Sequence, residues 1–254
     1  MISLLGRGWR LDGVSCVLFD KDGTLVDSHL YWGRIIERRA HAVIRRYGLS
    51  GDSFAPLCFS MGLDHGTGRL RPEGPIALVS REEVISLLHL ELAGMGVDAP
   101  EATLGEIFVH EHQAFLPELF NYVRILPGVV DLLVRLKEEG VKAAVVTTDT
   151  VPNTHETLGR LGVAHLFDAV VGKESTREPK TTGVPATLAL QLLGLPAERG
   201  VCIGDAPMDL IMAQKSGLRG GIWVATGQID GHALGRYSPY GVASLEELQI
   251  EKNL

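Results

Sequence analysis

The 254-residue sequence has little of what marks a membrane, secreted or nucleic-acid-binding protein. Its three cysteines, Cys16, Cys58 and Cys202, show no CxxC or zinc-like spacing, which argues against a disulfide framework. Two of them lie in apolar, strand-like runs, where a thiol acts as a small hydrophobe. No apolar run approaches the ~20 residues that span a bilayer. The N-terminus, MISLLGRGWRLDG, lacks the basic, apolar, small-residue order of a secretory signal. A cytoplasmic protein without membrane contact is therefore expected. The chain carries 24 Lys and Arg against 31 Asp and Glu, a net charge of −7. Neutralising phosphates needs a basic face, so no nucleic-acid partner is expected. Arg34, Arg38, Arg39, Arg45 and Arg46 share an amphipathic stretch with Glu37 and read as a solvated helix face. There is no GxxxxGK[ST], and no GxGxxG between a strand and a helix. His110-Glu111-His112 lacks the i, i+4 spacing of a helical zinc site.

What is present is an alternation. Short apolar runs, Val14–Phe19, Val141–Val146, Ala169–Val171, Val201–Ile203 and Gly221–Val224, recur between stretches of helical periodicity such as Val129, Leu132, Leu133 and Leu136. Strands alternating with helices imply βαβ units and a parallel sheet covered on both faces. The expected fold is an α/β, Rossmann-like core. The alternation breaks once, between about Ser28 and Leu126, where three helical patterns replace strands. Trp32, Ile35, Ile36, Ala40, Val43 and Tyr47 mark the first of them. This region reads as an inserted helical domain, residues 28–122, within a core formed by residues 1–27 and 123–254. Its segment Gly62–Pro75 is Gly-rich and reads as irregular. Leu126-Pro127-Gly128 returns the chain to the core.

The chemistry concentrates at strand ends. Val17-Leu18-Phe19 runs directly into Asp20-Lys21-Asp22-Gly23-Thr24, and Val201-Cys202-Ile203 into Gly204-Asp205-Ala206-Pro207-Met208-Asp209. Ligands of open parallel sheets sit at the carboxyl ends of the strands. Paired carboxylates there repel each other unless a cation binds, and Mg²⁺ favours carboxylates together with phosphate oxygens. Pro207 suits the first turn of a following helix. A third strand end, Thr147-Thr148-Asp149, offers hydroxyl and N–H donors, and Lys180 offers fixed positive charge. Alone, Thr147 reads as a helix cap and Lys180 as a surface lysine.

Together, DKDGTLVDS, VVTTD, Lys180 and GDAPMD resemble the four ordered motifs of the haloacid-dehalogenase-like hydrolases, over about Val14 to Gly221. LPGVVDLLVRLKEEGVKAAVVTTD resembles the approach to the second motif, and the helical insertion matches the place of the family's C1 cap, in the manner of phosphoglycolate phosphatases. One departure stands in the third motif, where relatives carry Lys-Pro-x-Pro and this chain has Lys180-Thr181-Thr182-Gly183. Counting back from Leu193-Gly194 favours Lys180. The rival, Lys173, lies seven residues too far from GDAPMD.

The resemblance implies an Mg²⁺-dependent phosphatase acting on a small phosphorylated metabolite. Asp20 would form an aspartyl-phosphate, and Asp22 would act as general acid and base. Mg²⁺ would be held by Asp20, the Asp22 backbone carbonyl and Asp205, with Asp209 orienting that shell or Lys180. Thr147, the Thr148 N–H and Lys180 would bind the phosphoryl oxygens. His65, Arg69 and Arg71 in the irregular segment could meet an anionic substrate, or could simply be solvated. Asp22 sets the chain apart from dehalogenase and phosphonatase relatives. Two alternatives share the fold. In a sugar phosphomutase a histidine would stand twelve residues past the nucleophile, where this chain has Trp32. A non-catalytic regulatory protein would not need four carboxylates at strand ends.

Overall fold

The computed structural model describes residues 1–76 and 78–252; residues 77, 253 and 254, which fall inside the expected domain spans, lie outside the described residues. The chain divides into two compact units, one of Met1–Asp27 with Arg124–Leu254, the other of Ser28–Val123.

The first unit opens with a hairpin, β1 (Ile2–Gly6) and β2 (Trp9–Val14), followed by β3 (Cys16–Phe19). Val14–Phe19 is thus not one strand. Val14 pairs with Ile2 in the hairpin, whereas Cys16 begins pairing with Lys142 and Gly200. The chain changes sheet at Ser15. The half-exposed alternation of Trp9–Val14 carried too weak a signal to mark β2.

The second unit is helical. Helix α1 (Ser28–Tyr47) buries Ile36, Ala40 and Val43, spaced to share one face, beside α2 (Phe54–Ser60), α3 (Arg81–Gly94) and α4 (Glu101–Phe115). Ser80 accepts from the Glu83 N–H while Glu83 accepts from the Ser80 N–H, a capping box that fixes the start of α3. Two expectations need correction here. The Gly62–Pro75 segment contains a small antiparallel ladder, β4 (Leu63–Asp64) with β5 (Arg69–Leu70). Asp64 Oδ1 closes its turn by accepting from the Gly66 and Thr67 N–H groups. Nor is Arg39 on a solvated face: it is 4% exposed, its guanidinium 4.0 Å from the centre of the Phe108 ring.

The chain then returns to the first unit through α5 (Val129–Glu138), β6 (Lys142–Val146), α6 (Val151–Arg160), β7 (Ala169–Val171), α7 (Val184–Leu193), β8 (Gly200–Gly204), α8 (Pro207–Lys215) and β9 (Gly220–Val224). Short α9 (Gly231–Leu234), β10 (Gly241–Val242) and β11 (Gln249–Lys252) complete it. Strand β11 joins the hairpin in a three-stranded antiparallel sheet ordered β11-β1-β2. The main sheet has six parallel strands ordered β10-β9-β8-β3-β6-β7. Its strands read as apolar because helices cover them; Cys16, Leu18, Ala144, Val146 and Cys202 pack with Ala186, Ala189, Met212 and Ala213 of α7 and α8. Both cysteines are free and buried, and burial pushes the Cys16 thiol up to about 11. The register sets Phe19 beside Val145 on one side and Ile203 on the other. Asp20, Thr147 and Asp205 therefore emerge from neighbouring strands at the carboxyl end of the sheet.

Candidate active site

Each strand-end residue is placed by its backbone. The Asp20 N–H donates to the Ile203 carbonyl at 2.9 Å and the Thr147 N–H to the Val171 carbonyl at 2.9 Å, extending the ladder by one residue at each end. After Asp20 the chain turns tightly, with the Leu25 and Val26 N–H groups both donating to the Lys21 carbonyl. After β8, Pro207 opens α8, and the Asp209 carboxylate accepts from the Ala206 N–H at 3.2 Å, fastening the helix start.

The result is a buried acidic cluster. One carboxylate oxygen from each of Asp20, Asp205 and Asp209 lies within 4.8 Å of the others. Lys180 reaches into it, its Nζ donating to Asp20 Oδ1 and, at 2.7 Å, to Asp209 Oδ1. A single 3₁₀ turn, Lys180–Thr182, presents that lysine, closed by the Gly183 N–H donating to the Lys180 carbonyl at 2.9 Å. Lys173, the rival, is exposed. Burial pulls the Lys180 ammonium down, but the charges of Asp20 and Asp209 outweigh it and hold the ammonium above the ordinary lysine range. One lysine does not balance three acids. Burial, then the neighbouring Asp20 and Asp209 charges, pushes Asp205 well above the usual carboxylate range, although Thr24 donates to it at 3.0 Å. Burial likewise raises Asp209, against the pull of Lys180. A compact all-oxygen donor set with surplus negative charge fits a hard divalent cation.

Asp22 stands apart from that cluster. Its carboxylate lies 3.2 Å from Lys21 Nζ, which also donates to Asp149 at 2.7 Å. Dehydration by the surrounding protein raises the Asp22 carboxyl, and Lys21 counters it. The Asp22 side chain is still 43% exposed, so water tempers the shift. Burial opposes ionisation of Asp149 too, yet Lys21 and the Thr150 N–H hold it below the usual carboxylate range. Thr147 is buried, its hydroxyl accepting from the Asp149 N–H at 3.1 Å, while Thr148 is exposed.

His65, Arg69 and Arg71 lie in the helical unit and are engaged there. His65 is 3.4 Å from Glu37 and edge-on to Phe54. Arg69 meets His29 at 3.0 Å. Arg71 stacks on Phe59, 3.5 Å from its ring centre, and donates to that residue's carbonyl.

Several neighbours of the cluster escaped the motif reading. Lys21 and Thr24 stood inside the DKDGT run, so their position was visible though their bonds were not. Thr226 donates to the Gly23 carbonyl at 2.6 Å, and Gly227 lies against Asp205. Both follow β9, next to β8 in the sheet, and only that topology could have pointed to them.

The model of the haloacid dehalogenase-like hydrolases matches residues 14–217. PpaX of Caldanaerobacter subterraneus subsp. tengcongensis, whose name proposes a pyrophosphatase, is 38% identical over 211 residues, covering 81% of this chain and 80% of that protein. Phosphoglycolate phosphatase of Rhodospirillum rubrum is 28% identical over 203 residues, covering 80% of this chain and 76% of its own. A solved structure from Thermotoga maritima, described as a proposed β-phosphoglucomutase, superposes with a TM-score of 0.66 at 22% identity, covering 92% of this chain and 96% of that one. At that identity the likeness is one of fold.

Proposed function

The chain belongs to the haloacid dehalogenase-like hydrolase family, and from that premise we propose that it is an Mg²⁺-dependent phosphatase of small phosphate monoesters, with Asp20 as nucleophile. The observation that carries this reading is the meeting of Asp20 with Lys180, Asp205 and Asp209 at the carboxyl end of the sheet. The relatives named for phosphoglycolate and pyrophosphate hydrolysis support it.

In the proposed reaction an Asp20 carboxylate oxygen attacks phosphorus. The bond from phosphorus to the ester oxygen breaks, and Asp22 gives that oxygen a proton. Asp22 then takes a proton from water, whose oxygen attacks the aspartyl-phosphate, releasing phosphate and restoring Asp20. Lys180 and Thr147, with the N–H of Thr148, would balance the charge on the transferring oxygens. Mg²⁺, held by Asp20, Asp205 and the Asp22 carbonyl with Asp209 behind them, would neutralise charge that Lys180 alone does not. The helical unit is proposed to act as the cap that chooses the leaving group, with His65, Arg69 and Arg71 as candidate contacts.

The test is phosphate release from a panel of small phosphate esters by the wild type and Asp20→Asn. Release is expected with Mg²⁺, lost in EDTA and lost in a folded variant. Release that survives both would overturn the reading. Isomerisation of a sugar phosphate, primed by its bisphosphate and without net release, would replace it with a mutase.

A further inference from the structure

Among the described residues, Arg39 is a buried cation without a counter-ion. Its Nε has no hydrogen-bond partner among them, and its guanidinium lies against the face of Phe108. A ring face offsets only part of the cost of dehydrating a guanidinium. Acids on the helices around it are engaged elsewhere: Glu37 of α1 with Arg34, Glu111 of α4 with Arg38 and Arg45, and Glu83 of α3 with the start of its own helix. Burial, then the like charge of Arg81, pushes the Arg39 guanidinium down to about 10.

Arg39 lines a cavity of about 190 Å³ between α1, α3 and α4, together with Tyr31, Trp32, Arg81, Phe108 and His112. Two arginines, an imidazole and aromatic walls face one space. Arg81 is exposed, so the cavity reaches the surface on its side. The volume falls below the ~300 Å³ at which pockets for drug-sized ligands begin, so the occupant is small. An arginine fork pairs bidentately with a carboxylate or phosphate, and the aromatic walls suit an apolar body.

We propose that this cavity binds a small organic anion, one carboxylate or phosphate on a short apolar or aromatic body, with Arg39 as its charged anchor. The binding does not depend on the chemistry proposed for Asp20. The anion could be a portion of the substrate or a separate effector, and kinetics distinguish them.

Calorimetric titration of the full chain with benzoate and with phenylphosphonate tests the site. Wild type and Asp20→Asn should bind benzoate alike. Arg39→Met, similar in length but uncharged, should bind about tenfold more weakly or worse, as the loss of a charged hydrogen bond implies. If that variant does not fold, Arg39→Lys, which keeps the charge and loses the fork, must still weaken binding. No binding of either probe to wild type at millimolar concentration, or undiminished binding in a folded Arg39 variant, overturns the proposal. Competition between benzoate and a phosphate ester would mark the site as the substrate's own. A change in kcat without competition would mark an effector.

Discussion

Asp205 is confined by backbone as much as by bonds. A Cβ on Gly227 would sit 1.7 Å from its Oδ2, and one on Gly23 2.3 Å from the same oxygen, both far inside van der Waals contact. Gly227→Ala must therefore displace the Asp205 carboxylate. The Mg²⁺ concentration for half-maximal activity is expected to rise about 10- to 100-fold, the range for a disturbed supporting shell. A metal titration of activity checks this, and an unchanged midpoint would remove Asp205 from the metal site. The acids themselves were legible, because Asp pairs ending apolar strands have few structural uses. Gly227 was not, since it carries no chemistry of its own and lies 22 residues beyond Asp205 by the sequence numbering. Arg39 was misread for a related reason: helical periodicity places it on α1, but only packing against Phe108 takes it out of water.

Among the elements, the parallel strands were legible as apolar runs except the two-residue β10, too short to show a pattern, and their order in the sheet was not legible. That order matters most, because β3 between β6 and β8 makes neighbours of residues more than a hundred positions apart. The hairpin β1–β2 and its partner β11 escaped because β2 alternates weakly and β11 pairs with β1 across nearly the whole chain. The re-entry at Gly128 was visible as Pro-Gly, and its geometry explains the glycine. Its φ is +79°, and a Cβ there would lie 2.5 Å from the Glu246 backbone nitrogen. Gly128→Ala is expected to cost about 1–3 kcal/mol, lowering Tm by about 2–4 °C per kcal/mol in a chain of this size. A thermal melt reads it, and an unshifted Tm would show that the turn relaxes freely.

For the molecule as a whole, a cation bound only by the folded state should stabilise it. Mg²⁺ at 100 times its Kd adds about 2.7 kcal/mol, a rise of about 5–10 °C in Tm. That rise should be abolished by EDTA and much reduced in Asp205→Asn; an equal rise in the variant would place the cation elsewhere. Among the described residues no helix is long and apolar enough to cross a membrane. The central claim, that Asp20 itself takes the phosphoryl group, is tested most directly by acid-quenching the enzyme during turnover of a small phosphate ester and measuring its intact and peptide masses. One phosphoryl group on the peptide containing Asp20, absent from Asp20→Asn, is the expected result. Turnover without any protein-bound phosphoryl group, or with one on another residue, would contradict it.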